Sequence, residues 1–177
     1  MQYRNSRLGP LPDYLRRGLK LVFIGFNPGL HSARLGHYYA GRGNQFWPLV
    51  FQAGLVPEAL TFRDDARLLE FGLGLTDIVK RPSRGAHELT PADYRRGRAL
   101  LGAKLRRYRP QGVAFVGKDV YERFMGRRAS LGPQTQRVFR ARVFVLPSTA
   151  GTNTALTRRQ KLGYFQQLRC WLTESSE

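Results

Sequence analysis

The sequence predicts an α/β fold: a single three-layer domain built on a mostly parallel central sheet of about four or five strands, with helices on both faces. Three observations predict it. The chain is 177 residues long and 42% hydrophobic, about one ordinary domain with enough apolar material for a buried core. Several apolar runs are of strand length and are stopped by Gly or Pro. Those runs alternate with segments of helical periodicity, the pattern of a parallel sheet covered on both faces.

Taken in order, residues 1–19 are polar and arginine-rich and are expected to form a basic N-terminal arm, leaving 20–173 as the domain proper. Leu21-Val22-Phe23-Ile24 is short, apolar and stopped by Gly25, which suits a strand buried on both faces. From Asn44 to Ala53, Phe46, Leu49, Val50 and Ala53 recur at helical spacing, with Asn44 as cap and Gly54 as stop. Residues Asp64 to Phe71 form a second helical segment, and Leu73 to Val79 a second strand. Thr90-Pro91-Ala92-Asp93 has the chemistry of a helix start: an N-cap Thr, Pro in the first turn and a capping-box Asp. Leu100, Leu101, Leu105 and Tyr108 give that helix its apolar stripe. Gly112 to Val116 is a third strand, Lys118 to Met125 a helix, Arg142 to Leu146 a fourth strand, and Thr157 to Thr173 a closing amphipathic helix.

Charge narrows the partners. The chain carries 30 Lys and Arg against 12 Asp and Glu, a formal net charge of +18. Such an excess attracts polyanions, nucleic acid first among them, and anionic membranes or acidic proteins second. Arginine far outnumbers lysine, which is also what genomic codon bias produces. Cys170 is the sole cysteine, so an internal disulfide and a CxxC metal site are excluded. The N-terminal sequence has no signal-peptide core, and no apolar stretch approaches the ~20 residues that span a bilayer. The expectation is a soluble, monomeric, cytoplasmic protein with no metal, no cofactor and no membrane partner, associated with the nucleoid through DNA.

In parallel sheets ligands bind beyond the carboxyl ends of the strands. That rule singles out Gly25 to Gly29, Gly117 to Lys118, and Pro147 to Thr154. In the first, Gly25-Phe26-Asn27-Pro28-Gly29 forces a tight turn that presents Asn27 at the sheet edge, although an Asn in such a turn often bonds only its own backbone. The lack of GxGxxG and of a Walker lysine argues against a nucleotide cofactor there.

The order GFNPGLHSARLGHYYAGRGNQFW over residues 25–47 resembles the first signature of the mismatch-specific uracil-DNA glycosylases, the branch that includes thymine-DNA glycosylase. LTDIVKRP over residues 75–82, VAFVGK over 113–118 and VLPSTAG over 145–151 follow in family order, so the resemblance spans roughly Lys20 to Leu172. It implies a uracil-DNA glycosylase-like fold and a monofunctional hydrolase of N-glycosyl bonds, one that flips uracil or a mismatched pyrimidine out of double-stranded DNA and leaves an abasic site. Asn27 would position the attacking water, and Tyr39 would stack on the extruded base. Phe26, Gly29 and Ser32 would complete the substrate site, the backbone near Phe26 meeting the base edge. Read structurally, Tyr39 is a core or surface aromatic; Phe46 and Trp47 are assigned to the core.

The second signature departs from the family pattern. The run Ser148-Thr149-Ala150-Gly151-Thr152-Asn153-Thr154 keeps Gly151 but has Thr152 where an apolar wedge belongs and Ser148 in place of the leading Asn. Ser148, Gly151, Thr152 and Asn153 are expected to contact DNA with weakened opposite-base recognition, or else form an ordinary surface loop. Lys118, Arg81 and Arg84 are candidate DNA contacts at the same edge. Asp77, Asp93 and Glu88 are the candidate proton-accepting carboxylates near the expected cleft. Asp77 has an alternative as ion-pair partner of Lys80 or Arg81, and Asp93 as a helix cap. No lysine stands in a signature position for Schiff-base chemistry. A non-catalytic basic nucleic-acid-binding module is the alternative reading of the whole.

Overall fold

Leu21–Gly25 (β1) lies inside a five-stranded sheet, and the structure, a computed structural model, describes residues 8–174 around it. The other strands are Leu73–Asp77 (β2), Gly112–Val116 (β3), Gly132–Val138 (β4) and Ala141–Leu146 (β5), in the order β2-β1-β3-β5-β4. All neighbours pair in parallel except β4, which runs antiparallel to β5. The expected α/β sheet is borne out.

Alternation along each strand sends side chains to opposite faces and so builds two cores. Leu21 and Phe23 join Leu75, Ala114 and Phe144 on one face. There they meet Phe46–Gln52 (α2), the 3₁₀ segment Phe62–Phe71 and Arg158–Thr173 (α5). Val22 and Ile24 join Val113, Phe115, Val143 and Val145 on the other. That face is covered by Pro91–Tyr108 (α3) and Lys118–Met125 (α4).

Three local differences have physical reasons. Phe62–Phe71 winds as 3₁₀ rather than α-helix, opened by a capping box between Thr61 and Asp64 and closed by left-handed Gly72. Leu30–Leu35 (α1) is a short helix inside a loop that carries no helical apolar stripe. The strand β4 has no counterpart among the sequence expectations because its residues, GPQTQRV, are mostly polar and exposed, as an edge strand tolerates.

Of the expected N-terminal arm, residues 1–7 lie outside the described residues. Residues 8–19 pack on the domain: Leu11 and Leu19 are buried, and Tyr14 forms an antiparallel bridge to Leu75 at the free edge of β2. Gly74 permits that approach, since a Cβ there would stand 2.7 Å from the Tyr14 carbonyl oxygen.

The direction of chain crossover reverses at β1, with β2 on one side and β3 on the other. Such a switch opens a crevice at the carboxyl ends of these strands.

Candidate active site

A cavity of about 260 Å³ occupies that crevice. It is smaller than the ~300–1,000 Å³ of typical ligand pockets and suits a single ring more than a whole nucleotide. Asn27, Tyr39, Asp77 and Ser148 all line it.

The Asn27 side chain is held in one orientation. Its amide nitrogen donates to the Arg81 carbonyl at 2.9 Å and to Ser83 Oγ at 2.7 Å. A carbonyl can only accept, so the nitrogen is fixed toward Arg81 and the Asn27 oxygen is left as the available acceptor. Ser83 is itself anchored: its hydroxyl donates to the Gly85 carbonyl at 2.9 Å and its N–H to the Pro28 carbonyl at 3.1 Å. Sequence reasoning missed Ser83, because a lone Ser in a polar loop gives no signal.

Tyr39 stacks on Phe46 with ring centroids 4.0 Å apart and planes 19° from parallel. Phe46 is core, as expected, and also backs the Tyr39 ring. The Tyr39 backbone has φ 53°, a left-handed conformation costly for a bulky residue. The loop around it is over-determined. Buried Asp65 accepts from the Tyr38 N–H at 3.0 Å and meets His37 Nδ1 at 3.1 Å. Trp47 Nε1 donates to the Tyr38 carbonyl at 3.0 Å. Ser32 Oγ accepts from the Ala40 N–H at 3.1 Å, so Ser32 borders the cavity while bracing its wall.

Asp77 ends β2 with only 5% of its surface exposed. It pairs with neither Lys80 nor Arg81. Lys80 Nζ instead donates to Asp13 at 2.8 Å, where Lys104 and the Thr76 hydroxyl also converge. Burial pushes the Asp77 carboxyl up to about 7; nearby Lys80 opposes the rise and Asp13 adds to it. Gly25 makes room for this carboxylate, since a Cβ there would sit 2.4 Å from Asp77 Oδ1.

Among the described residues, Tyr39 Oη, Asp77 Oδ2 and Thr149 Oγ1 are buried polar atoms without a hydrogen-bond partner, and all three residues line this cavity. Buried polar atoms are ordinarily satisfied, so three orphans around one cavity are the mark of a site completed by a polar ligand.

Asp93 is placed elsewhere. It caps α3 through Thr90 and ion-pairs with Arg81 at 2.7 Å, which holds its carboxyl far below the usual range. It does not line the cavity. Of the remaining expected residues, Phe26 and Gly29 line the cavity with Asn27. Lys118, Ser148 and Asn153 line an adjoining cavity of about 430 Å³. Gly151 and Thr152 are exposed beside it, and Arg84 is exposed on the loop after β2. The two signature loops touch: the Gln45 N–H donates to the Thr149 carbonyl at 2.9 Å, and a Cβ on Gly151 would stand 2.9 Å from the Gly43 carbonyl oxygen.

The model of the uracil DNA glycosylase superfamily matches residues 12–173. The chain belongs to the uracil DNA glycosylase superfamily. A solution NMR structure from Methanosarcina acetivorans, provisionally described as a uracil DNA glycosylase, is similar in fold with a TM-score of 0.57. It is 21% identical, and the match covers 92% of this chain and 98% of that one. Superfamily membership makes the chain a DNA glycosylase-type hydrolase, acting on DNA. Among the described residues no helix is long and apolar enough to cross a membrane.

Proposed function

We propose that the protein is a monofunctional DNA glycosylase of the mismatch-specific branch, a monomer that excises uracil from double-stranded DNA inside the cell. The observation that carries this reading is the meeting of the fixed Asn27 amide, the Tyr39 ring and the buried Asp77 carboxyl in one base-sized cavity. An extruded base enters against Tyr39, whose other face is held by Phe46. The free Asn27 oxygen accepts a hydrogen bond from water and aims it at the sugar C1′. That water forms the new C–O bond as the C1′–N bond breaks, and the bond pair leaves with the base. Asp77, the sole carboxylate among the described residues lining the cavity, accepts the proton that the water releases.

No lysine among the described residues lines this cavity, which supports hydrolysis without a Schiff base and an abasic site left uncleaved. Thr152 stands in the wedge position, a small polar side chain that fills a vacated stack poorly, so opposite-base discrimination is weak.

The test is single-turnover excision from a U:G duplex, read by hot-alkali cleavage at the abasic product. The wild-type chain is expected to cut at uracil, more slowly at T:G, and Asn27→Ala to lose roughly 100-fold or more in rate. Binding without excision by the wild type, or full activity in Asn27→Ala, overturns the reading.

A further inference from the structure

A second depression, about 950 Å³, lies beside the cavity between the first half of α3 and α4. Phe26 lines both, so the groove adjoins the site. Arg95 and Arg98 from α3, Arg123 from α4, and Arg127 and Arg128 from the turn beyond it line the groove, and all are exposed.

Two features separate this cluster from a merely solvated basic surface. The first is order. The Arg123 guanidinium lies 4.6 Å from the Tyr94 ring centre, and Tyr94 in turn meets Phe26 edge-on at 5.8 Å. Arg98 donates to the Arg123 carbonyl at 3.3 Å, tying α3 to α4. The second is placement: the five guanidinium groups line one depression that shares Phe26 with the cavity, and among the described residues none of them is in an ion pair. The groove also holds Asp119 and Glu122, and Glu122 Oε1 is engaged by the Ala129 N–H at 3.3 Å.

We propose that this groove is a binding site for the sugar-phosphate backbone of the DNA flanking the excised nucleotide. The proposal rests on the glycosylase reading for its ligand and extends it to a surface outside the cavity. A strand leaving the cavity past Phe26 enters the groove at once. Guanidinium groups hydrogen-bond phosphate oxygens in a planar fork, and each neutralised phosphate releases condensed counterions.

The experiment measures affinity against salt for a duplex carrying an uncleavable abasic analogue. It compares the wild type with Arg95→Gln/Arg127→Gln/Arg128→Gln and with Arg106→Gln/Arg107→Gln/Arg140→Gln, which removes equal charge near the amino ends of the strands. Melting temperatures verify that each variant is folded. The groove variant is expected to flatten the slope of log affinity against log salt by about 0.9 for each phosphate it no longer neutralises, while the second variant keeps the wild-type slope. Equal slope changes in both variants, or none in the groove variant, overturn the proposal. Because binding is read on an uncleavable duplex, failure of the glycosylase reading appears separately, as no excision from U:G by the wild type.

Discussion

Asp77 carries a cost that the rest of the molecule tolerates. Folding raises its pKa from 3.8 to about 7, so the folded chain holds this proton more tightly than the unfolded chain does. The associated stability is complete below pH ~4 and is lost as pH rises through about 7. Asp77→Asn removes this dependence, so above pH 7 the variant is expected to exceed the wild type by up to about 4 kcal/mol in chemical denaturation, with the gap closing toward pH 4. The same substitution is expected to abolish a rising limb of excision rate centred near pH 7. A limb that survives in Asp77→Asn would assign the proton acceptor elsewhere. The sequence offers Asp77 as a candidate from its place at a strand exit, but not its isolation, since Lys80 just beyond that exit looks like an available partner. Only the fold shows that Asp13, from the N-terminal segment, takes that lysine.

At the scale of elements, α5 controls the second signature loop through one residue. Lys161 is fully buried, and its ammonium donates to the Asn153 carbonyl at 2.7 Å; burial lowers its pKa. Lys161→Met keeps the volume and removes the anchor. Its melting temperature is expected to change little, because the missing hydrogen bond is offset by relief of a buried charge. Affinity for a U:G duplex is expected to fall about tenfold as the loop slackens. Unchanged affinity would reduce Lys161 to packing. The elements that position the site are legible in the sequence wherever apolar runs meet a Gly or Pro stop: β1, β2, β3, β5 and the capped start of α3. The strand β4 is not, because an edge strand needs backbone pairing and little apolar surface. Asp93 shows the converse: its capping-box spacing is visible in the sequence, but its ion pair with Arg81, which together with the cap engages both carboxylate oxygens, is not.

Across the whole molecule, Asp13 ties the N-terminal segment to the sheet and to α3 by accepting from Thr76 and pairing with Lys80 and Lys104. Burial alone would raise its pKa, but these hydrogen bonds hold it below the usual range. Asp13→Asn is expected to destabilise the fold by roughly 2 kcal/mol in denaturant unfolding, a figure discounted for the partial exposure of the cluster. It is also expected to move the Asp77 titration downward, since one neighbouring negative charge is gone and two cations are released; an upward move would contradict this electrostatic account. The meeting of Gly43 with Gly151 reaches further still. Where backbone meets backbone there is no rotamer to turn aside, so the two signature loops form a single jaw beside the cavity. On the proposed function, a ring too wide for that cavity is expected to be refused by shape alone, and widening it to require both loops to change together.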